Sequence, residues 1–200
     1  MLLKSKVVLF VFCLFFISCS KKIQITYPAS KSDVIERVIA NNIMVCEIKR
    51  KGIFSYEDRF NRVKFKGLLV KDCEDRFRLT VLGAFNQPAI IVSGDRLNLN
   101  VEKSEIENPE QYLGIFNKDN INIILSILNY PLILPDKSYN MTVDSNLYNF
   151  SKGEITVSVN ENYKISRIKT KFITIDYEYD ENLKGLQAIT PELILKVSFL

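Results

Sequence analysis

Hydrophobic and polar residues alternate with a period of two along most of the chain from position 43 onward. In one segment the apolar residues Phe77, Leu79 and Val81 alternate with polar or charged neighbours. This pattern predicts strands with one buried face, and turn residues at hairpin distances predict an antiparallel meander. The predicted strands lie at 43–49, 63–67, 76–81, 89–92, 97–101, 139–148, 154–159, 165–178 and 193–200. The apolar phase shifts between Phe172 and Ile173, which predicts a β-bulge there.

Before the first strand, the spacing of apolar residues predicts an amphipathic helix over 31–42. Its apolar stripe consists of Val34, Ile35, Val38 and Ile39. Ser30 or Ser32 is placed to cap the start, and Asn41 and Asn42 are typical of a helix end.

A second helix interrupts the strands, and it is apolar on most of its surface. One face carries Ile121, Ile124, Leu125 and Leu128. Ile123 and Ile127 widen that face, Asp119 is the predicted cap, and Pro131 and Pro135 end the helix. A helix this apolar needs a cover.

These elements predict a mainly β (α+β) fold in which a curved antiparallel sheet forms an unclosed β-barrel of about nine to eleven strands with a helical lid. The helices either fill the concave side or cover it, and incomplete filling would leave an apolar cavity. The candidate residues of an acyl-chain cavity and its lid are Phe65, Phe77, Leu79, Val81, Ile121, Ile124, Leu125 and Leu128.

The first nineteen residues combine Lys4 and Lys6 with an apolar run that ends at Cys19. The run is shorter than the roughly 20 residues that span a bilayer, so residues 1–18 are predicted to be a cleaved signal peptide. Residues 16–19 resemble a bacterial lipobox, which implies lipidation of Cys19. The alternative is an ordinary signal peptide or short anchor with an incidental cysteine.

Residues 19–30 would then form a tether, and 31–200 a single domain, because about 180 residues suit one core. In the lipobox resemblance, an aspartate after the cysteine would signal retention in the inner membrane. Ser20 stands there instead. The protein is therefore expected at the outer membrane, facing the periplasm.

Composition narrows the classes of function. The chain is 47% hydrophobic with a formal charge of +4, and no nucleic-acid partner is expected. It contains neither histidine nor tryptophan. Since histidine is the commonest metal ligand and general base, and the sequence has no phosphate loop or nucleophile elbow, we expect no enzyme, cofactor or metal.

Three groups of residues allow two interpretations each. Cys46 and Cys73 either form a disulfide or are separate buried residues. The acidic run from Asp176 to Glu181 is interpreted as a polar hairpin end, with calcium binding or two-carboxylate catalysis by Asp176 and Glu178 as the alternative. The cations Lys64, Lys66, Arg76 and Arg78 are interpreted as a solvated outer face, with lipid headgroups or a partner as the alternative.

Three stretches carry a resemblance to a known family: FKGLLV at 65–70, RFRLTVLGAFNQP at 76–88 and LSILNYPL at 125–132. Together with the apolar residues 90–92 they resemble the LolB family of outer-membrane lipoprotein receptors. The resemblance implies the fold shared with the carrier LolA, a lipid-anchored monomer that receives lipoprotein acyl chains from a LolA-type periplasmic carrier, and no catalysis. The alternatives are a packed structural or interaction lipoprotein of the same fold, or a carrier of other lipids.

The same resemblance implies a membrane-insertion role for the loop 83–88, with Phe85 at its apolar position. Asn86 replaces the glycine expected next. A turn favours exposure of Phe85, and folding back onto the sheet is the other possibility.

Overall fold

The computed structural model describes residues 30–60, 62–105, 118–144 and 146–200, apart from the side chains of 118–121. Helix α1 comprises Lys31–Asn41 and helix α2 Lys118–Leu128. Five strands precede α2: β1 Ile48–Asp58, β2 Arg62–Lys71, β3 Phe77–Leu82, β4 Pro88–Gly94 and β5 Leu99–Ser104. Seven follow it: β6 Asn140–Asp144, β7 Leu147–Lys152, β8 Ile155–Val159, β9 Ile165–Lys169, β10 Thr174–Tyr179, β11 Leu183–Ile189 and β12 Leu193–Phe199.

All twelve strands form one antiparallel sheet in the order β5-β4-β3-β2-β1-β12-β11-β10-β9-β8-β7-β6. Two meanders are thus joined where β12 pairs with β1. Within the described part of the chain, β5 and β6 are the two outer strands and do not pair with each other. The predicted unclosed antiparallel sheet with two helices is confirmed, with one strand more than the upper end of the predicted range.

The predicted single strand over 165–178 is wrong, and so is its bulge. Strands β9 and β10 form a hairpin with Thr174 opposite Lys169. In the turn, the Thr170 hydroxyl oxygen accepts hydrogen bonds from the amides of Phe172 and Ile173. The shift in apolar phase therefore marks a chain reversal fixed by a threonine.

The predicted strand 139–148 is also a hairpin, formed by β6 and β7 with Asp144 opposite Leu147. Strand β11 was not predicted separately. The first predicted strand begins later than expected, at Ile48, because residues 43–47 leave the sheet. There Val45 pairs with Tyr130 instead, through backbone hydrogen bonds of 2.6 and 3.1 Å.

Helix α1 begins as predicted, with the Ser30 hydroxyl accepting a hydrogen bond of 3.2 Å from the Asp33 amide. Three of its four predicted stripe residues are buried: Val34, Ile35 and Val38. Ile39, however, is 51% exposed. The buried stripe is narrower because α1 packs along one line of contact.

One hydrophobic core joins the inward side chains of the sheet to both helices. Alternate positions of each strand face it, as Leu79 and Val81 do on β3. No helix of the described residues is long and apolar enough to cross a membrane. The concave side of the sheet is therefore where an apolar site must be sought.

Candidate functional site

Helix α2 lies against the concave side of the sheet and encloses a small apolar cavity with it. The cavity is lined by Phe54, Ser55, Tyr56, Phe65, Leu69, Phe77, Leu79, Ile124, Leu125, Leu128, Leu195 and Val197. Six of the eight residues predicted for the acyl-chain site and its lid are in this lining. Val81 is buried in the same core but does not line the cavity, and the side chain of Ile121 lies outside the described residues.

The cavity measures about 30 Å³. That volume suits one or two water molecules, whereas small-molecule sites start at roughly 300 Å³. The concave side is therefore filled by the protein's own side chains. An acyl chain has room there only after α2 moves away from the sheet.

The free energy that holds α2 in place follows from its buried side chains. Ile124, Leu125, Ile127 and Leu128 are all at most 6% exposed. At about 1.5–3 kcal/mol for each buried side chain, the four contribute roughly 6–12 kcal/mol. About 8–15 acyl methylenes, at ~0.8 kcal/mol each, would replace that burial, which is within the length of one fatty acyl chain.

A buried ion pair fixes the end of α2 to the sheet. The side chain of Lys71, on β2, is 0% exposed, and its Nζ lies 2.6 Å from Asp75 Oδ1. The same Nζ donates to Asn129 Oδ1 at 2.7 Å, directly after the last residue of α2. Arg96 binds the other carboxylate oxygen of Asp75 at 2.5 Å. The β2–β3 turn, the β4–β5 turn and the end of α2 therefore meet at one carboxylate.

The electrostatics of this cluster favour the charged pair. Burial alone raises the pKa of Asp75, but hydrogen bonds from Lys71 and Arg96, with their positive charges, outweigh it and hold that pKa below its ordinary value. Asp75 also has a positive φ of 63°, a conformation that aspartate tolerates better than most residues. Sequence reasoning missed this cluster. The available signal was a lysine at an inward position of β2, two residues after Leu69.

The cysteines lie in the same place. Cys46 and Cys73 form a disulfide with their Cα atoms 4.8 Å apart, which resolves the alternatives left open by the sequence. Lys71 Nζ also donates to the Cys46 carbonyl at 3.2 Å. Together with the pairing of Val45 and Tyr130, the disulfide connects the segment after α1 to the β2–β3 turn and to the exit of α2.

A second polar cluster connects the two helix ends. Asn42 is 1% exposed, and its Oδ1 accepts hydrogen bonds from the Tyr130 hydroxyl at 2.7 Å and the Ile165 amide at 3.0 Å. Its Nδ2 donates to the carbonyls of Val38 and Tyr163. Burial raises the pKa of Tyr130 to about 12, so its hydroxyl stays protonated.

Phe85 lies at the tip of the β3–β4 turn and is 95% exposed. The structure thus decides between the two placements that the sequence allowed, while the role in membrane insertion stays a prediction. Phe85 and Asn86 have positive φ values of 57° and 60°. Asparagine tolerates this conformation, which explains how it stands where a glycine was expected; a phenylalanine there is strained by about 1–3 kcal/mol.

The acidic residues 176–181 lie at the end of the β10–β11 hairpin or beside it. Asp176 pairs with Arg167 at 2.5 Å, and Glu178 lies 4.0 Å from Lys184. Within the part of the chain that the structure describes, no group of three histidine, cysteine, aspartate or glutamate residues is placed to hold a metal ion. The geometry matches the predicted polar hairpin end.

No protein-family model matches the chain, and no curated protein matches it. Solved structures give two remote likenesses. One is a LolA-superfamily protein from Nitrosomonas europaea, with 7% identity, 86% of this chain and 92% of that chain covered, and a TM-score of 0.43. The other is a putative outer-membrane lipoprotein-sorting protein domain from Vibrio parahaemolyticus, with 6% identity, 84% and 88% covered, and a TM-score of 0.40. Because both TM-scores are below 0.5, we draw no functional argument from them.

Proposed function

We propose that the protein is a lipid-anchored, non-enzymatic carrier or receptor that binds the acyl chains of lipoproteins and inserts them into the outer membrane. The observation that carries this proposal is a continuous apolar concave face covered by one short helix. Six of the residues chosen from sequence meet under that helix. The resemblance of residues 65–92 and 125–132 to the LolB family supports the same function.

In this mechanism α2 moves away from the sheet and acyl methylenes take the place of its buried side chains. The estimate of about 8–15 methylenes makes the exchange close to neutral in free energy, so that cargo is both accepted and released. Cys19 would carry the anchor, a LolA-type carrier would deliver the cargo to the monomer, and Phe85 would enter the receiving membrane.

The first test is acceptance of cargo by the full chain. The protein is incubated with a lipoprotein-loaded LolA-type carrier, and transfer is followed by pull-down and by extraction of non-covalently bound lipid. Leu125→Gln places an amide on the covered face of α2, and we expect it to reduce acceptance at least tenfold. Ile123→Gln on the same helix, where the side chain is 37% exposed, is the matched control and should retain acceptance.

A second candidate function is a structural or interaction lipoprotein with a packed interior. The specific observation in its favour is the cavity of only about 30 Å³. If neither a lipoprotein nor any other extractable lipid binds, and both variants behave as the parent protein does, the packed structural function replaces the carrier. Acceptance of free lipid without acceptance of lipoprotein would instead identify a carrier of other lipids.

A further inference from the structure

The outer face of strands β12, β1 and β2 has an unbalanced positive charge. The register places Lys64 and Lys196 on either side of Ser55, and Lys66 opposite Ile53. Lys49 and Lys51 continue the same face of β1, because they alternate with the core-facing positions of that strand. We call the five residues Lys49, Lys51, Lys64, Lys66 and Lys196 the lysine face.

Neighbouring carboxylates do not neutralise the lysine face. Among the described residues, none of these five lysines takes part in an ion pair. The only other charges at outward positions of the three strands are Glu57 and Arg62, which pair with each other at 3.5 Å. The excess of five positive charges on this face is greater than the formal charge of +4 of the whole chain. The remainder of the protein therefore has no net positive charge.

Clustering these lysines works against folding. Residues two apart on a strand are separated by about 7 Å, which is less than the Debye length of about 8 Å at physiological ionic strength. Lys49 and Lys51, and likewise Lys64 and Lys66, therefore repel each other with little screening. An anionic surface placed against the face removes that repulsion.

The apolar residues of this region distinguish a membrane from an acidic protein. Leu68, Val70 and Ile194 are 37–38% exposed among the lysines. Phe85 adjoins the face, because Lys51 Nζ lies 3.4 Å from Asn86 Oδ1 in the same turn. Cations around a fully exposed aromatic residue are typical of surfaces that rest on anionic membranes with the ring among the headgroups.

We propose that the lysine face and Phe85 form one docking surface for an anionic phospholipid membrane. The lysines bind headgroup phosphates while Phe85 enters the interface. This orients the β3–β4 turn toward the bilayer independently of the lipid anchor and of acyl-chain binding. The docking surface therefore applies to the carrier and to the packed alternative alike.

The experiment uses the full chain reconstituted into vesicles, of phosphatidylcholine alone or with phosphatidylglycerol at about one lipid in three. Lysines are acetylated briefly and the modified sites are read by mass spectrometry. We expect the lysine face to be protected only in the anionic vesicles, and the protection to disappear in 1 M salt, where the Debye length falls to about 3 Å. Because the chain has no tryptophan, Phe85→Trp reports burial of the ring as a blue shift quenched by brominated lipid.

The variant Lys51→Gln/Lys64→Gln/Lys66→Gln should lower the ratio of docked to undocked protein by roughly 100-fold, at about fivefold for each lysine. The matched control Lys152→Gln/Lys169→Gln/Lys171→Gln removes equal charge elsewhere and should change it less than threefold. Equal labelling in both vesicles overturns the proposal, and so does an equal effect of the two triple variants. Protection by soluble polyglutamate but not by the anionic vesicles would identify an acidic protein as the partner instead. Loss of cargo acceptance with docking intact would count against the acyl carrier alone.

Discussion

Replacing Lys71 by methionine tests whether the buried ion pair fixes the lid. Methionine keeps most of the apolar stem and removes the ammonium group that contacts Asp75, Asn129 and the Cys46 carbonyl. Asp75 then keeps only Arg96 and a long contact of 3.5 Å from Asn129 Nδ2. The change therefore disconnects the end of α2 from β2 without opening a large cavity.

The magnitude follows from the burial of the pair. Removing one partner of a buried ion pair costs about 3–5 kcal/mol, and the remaining Arg96 contact places our expectation at the lower end, about 3 kcal/mol. Lys66→Met is the matched control, because Lys66 lies exposed on the outward face of the same strand. There the expected change is within about 0.5 kcal/mol.

The effect should depend on pH. Asp75 has a lowered pKa in the folded protein, so its contribution to stability is present above the unfolded value of about 3.9 and disappears as pH falls through the folded value. Lys71→Met removes part of the cause of that lowering. The difference in stability between parent and variant should thus be largest near pH 7 and shrink as the pH falls through the acid range below 4.

The assay is equilibrium unfolding in urea followed by far-UV circular dichroism, with the disulfide intact, together with hydrogen exchange of α2. Amides of α2 should exchange faster in Lys71→Met than in the parent, while those of β8 and β9 change least. The reasoning is refuted if Lys71→Met unfolds at the same urea concentration as Lys66→Met, or if all strands lose protection together with α2.

Three further changes test other parts of the structure. Serine at both Cys46 and Cys73 should lower the free energy of unfolding by about 3.5 kcal/mol, because the bridge closes a loop with a separation of 27 residues; an unchanged urea midpoint would contradict this. Asn42→Ala should cost about 2–4 kcal/mol, because it leaves the buried Tyr130 hydroxyl and Ile165 amide without their acceptor, and a loss below 1 kcal/mol would mean that water replaces it. Phe85→Gly should stabilise the protein by about 0.5–1 kcal/mol by relieving the positive φ while weakening vesicle docking; destabilisation would show that the ring supports the fold.

Sequence reasoning reached the core face because burial follows alternation. Leu79 and Leu125 were assigned to one apolar site because a strand and a helix each bury one side, and an unclosed sheet leaves one concave surface for both. The hairpins at 144–147 and 170–173 were missed because neither turn contains glycine or proline to interrupt the pattern. Thr170 makes its turn through hydroxyl hydrogen bonds, a signal too common to predict a turn by itself.

The polar clusters required the three-dimensional structure. Lys71 and Asn129 are far apart in the chain, and a lysine in a strand is ordinarily exposed. The pairing of Cys46 with Cys73 depends on where the β2–β3 turn carries Cys73 relative to a segment that leaves the sheet. The lysine face was visible only in part, since Lys49, Lys51 and Lys196 join Lys64 and Lys66 through strand pairings that the sequence does not specify.

The central claim is that α2 yields the concave face to an acyl chain. The most direct measurement loads the full chain with a lipopeptide whose acyl chain carries a diazirine, and maps the photo-crosslinks by mass spectrometry. The account predicts crosslinks to the covered residues Phe65, Leu79 and Leu125, which disappear when an unlabelled lipopeptide competes. Crosslinks confined to outward residues such as Leu68, or none on the domain, would contradict it.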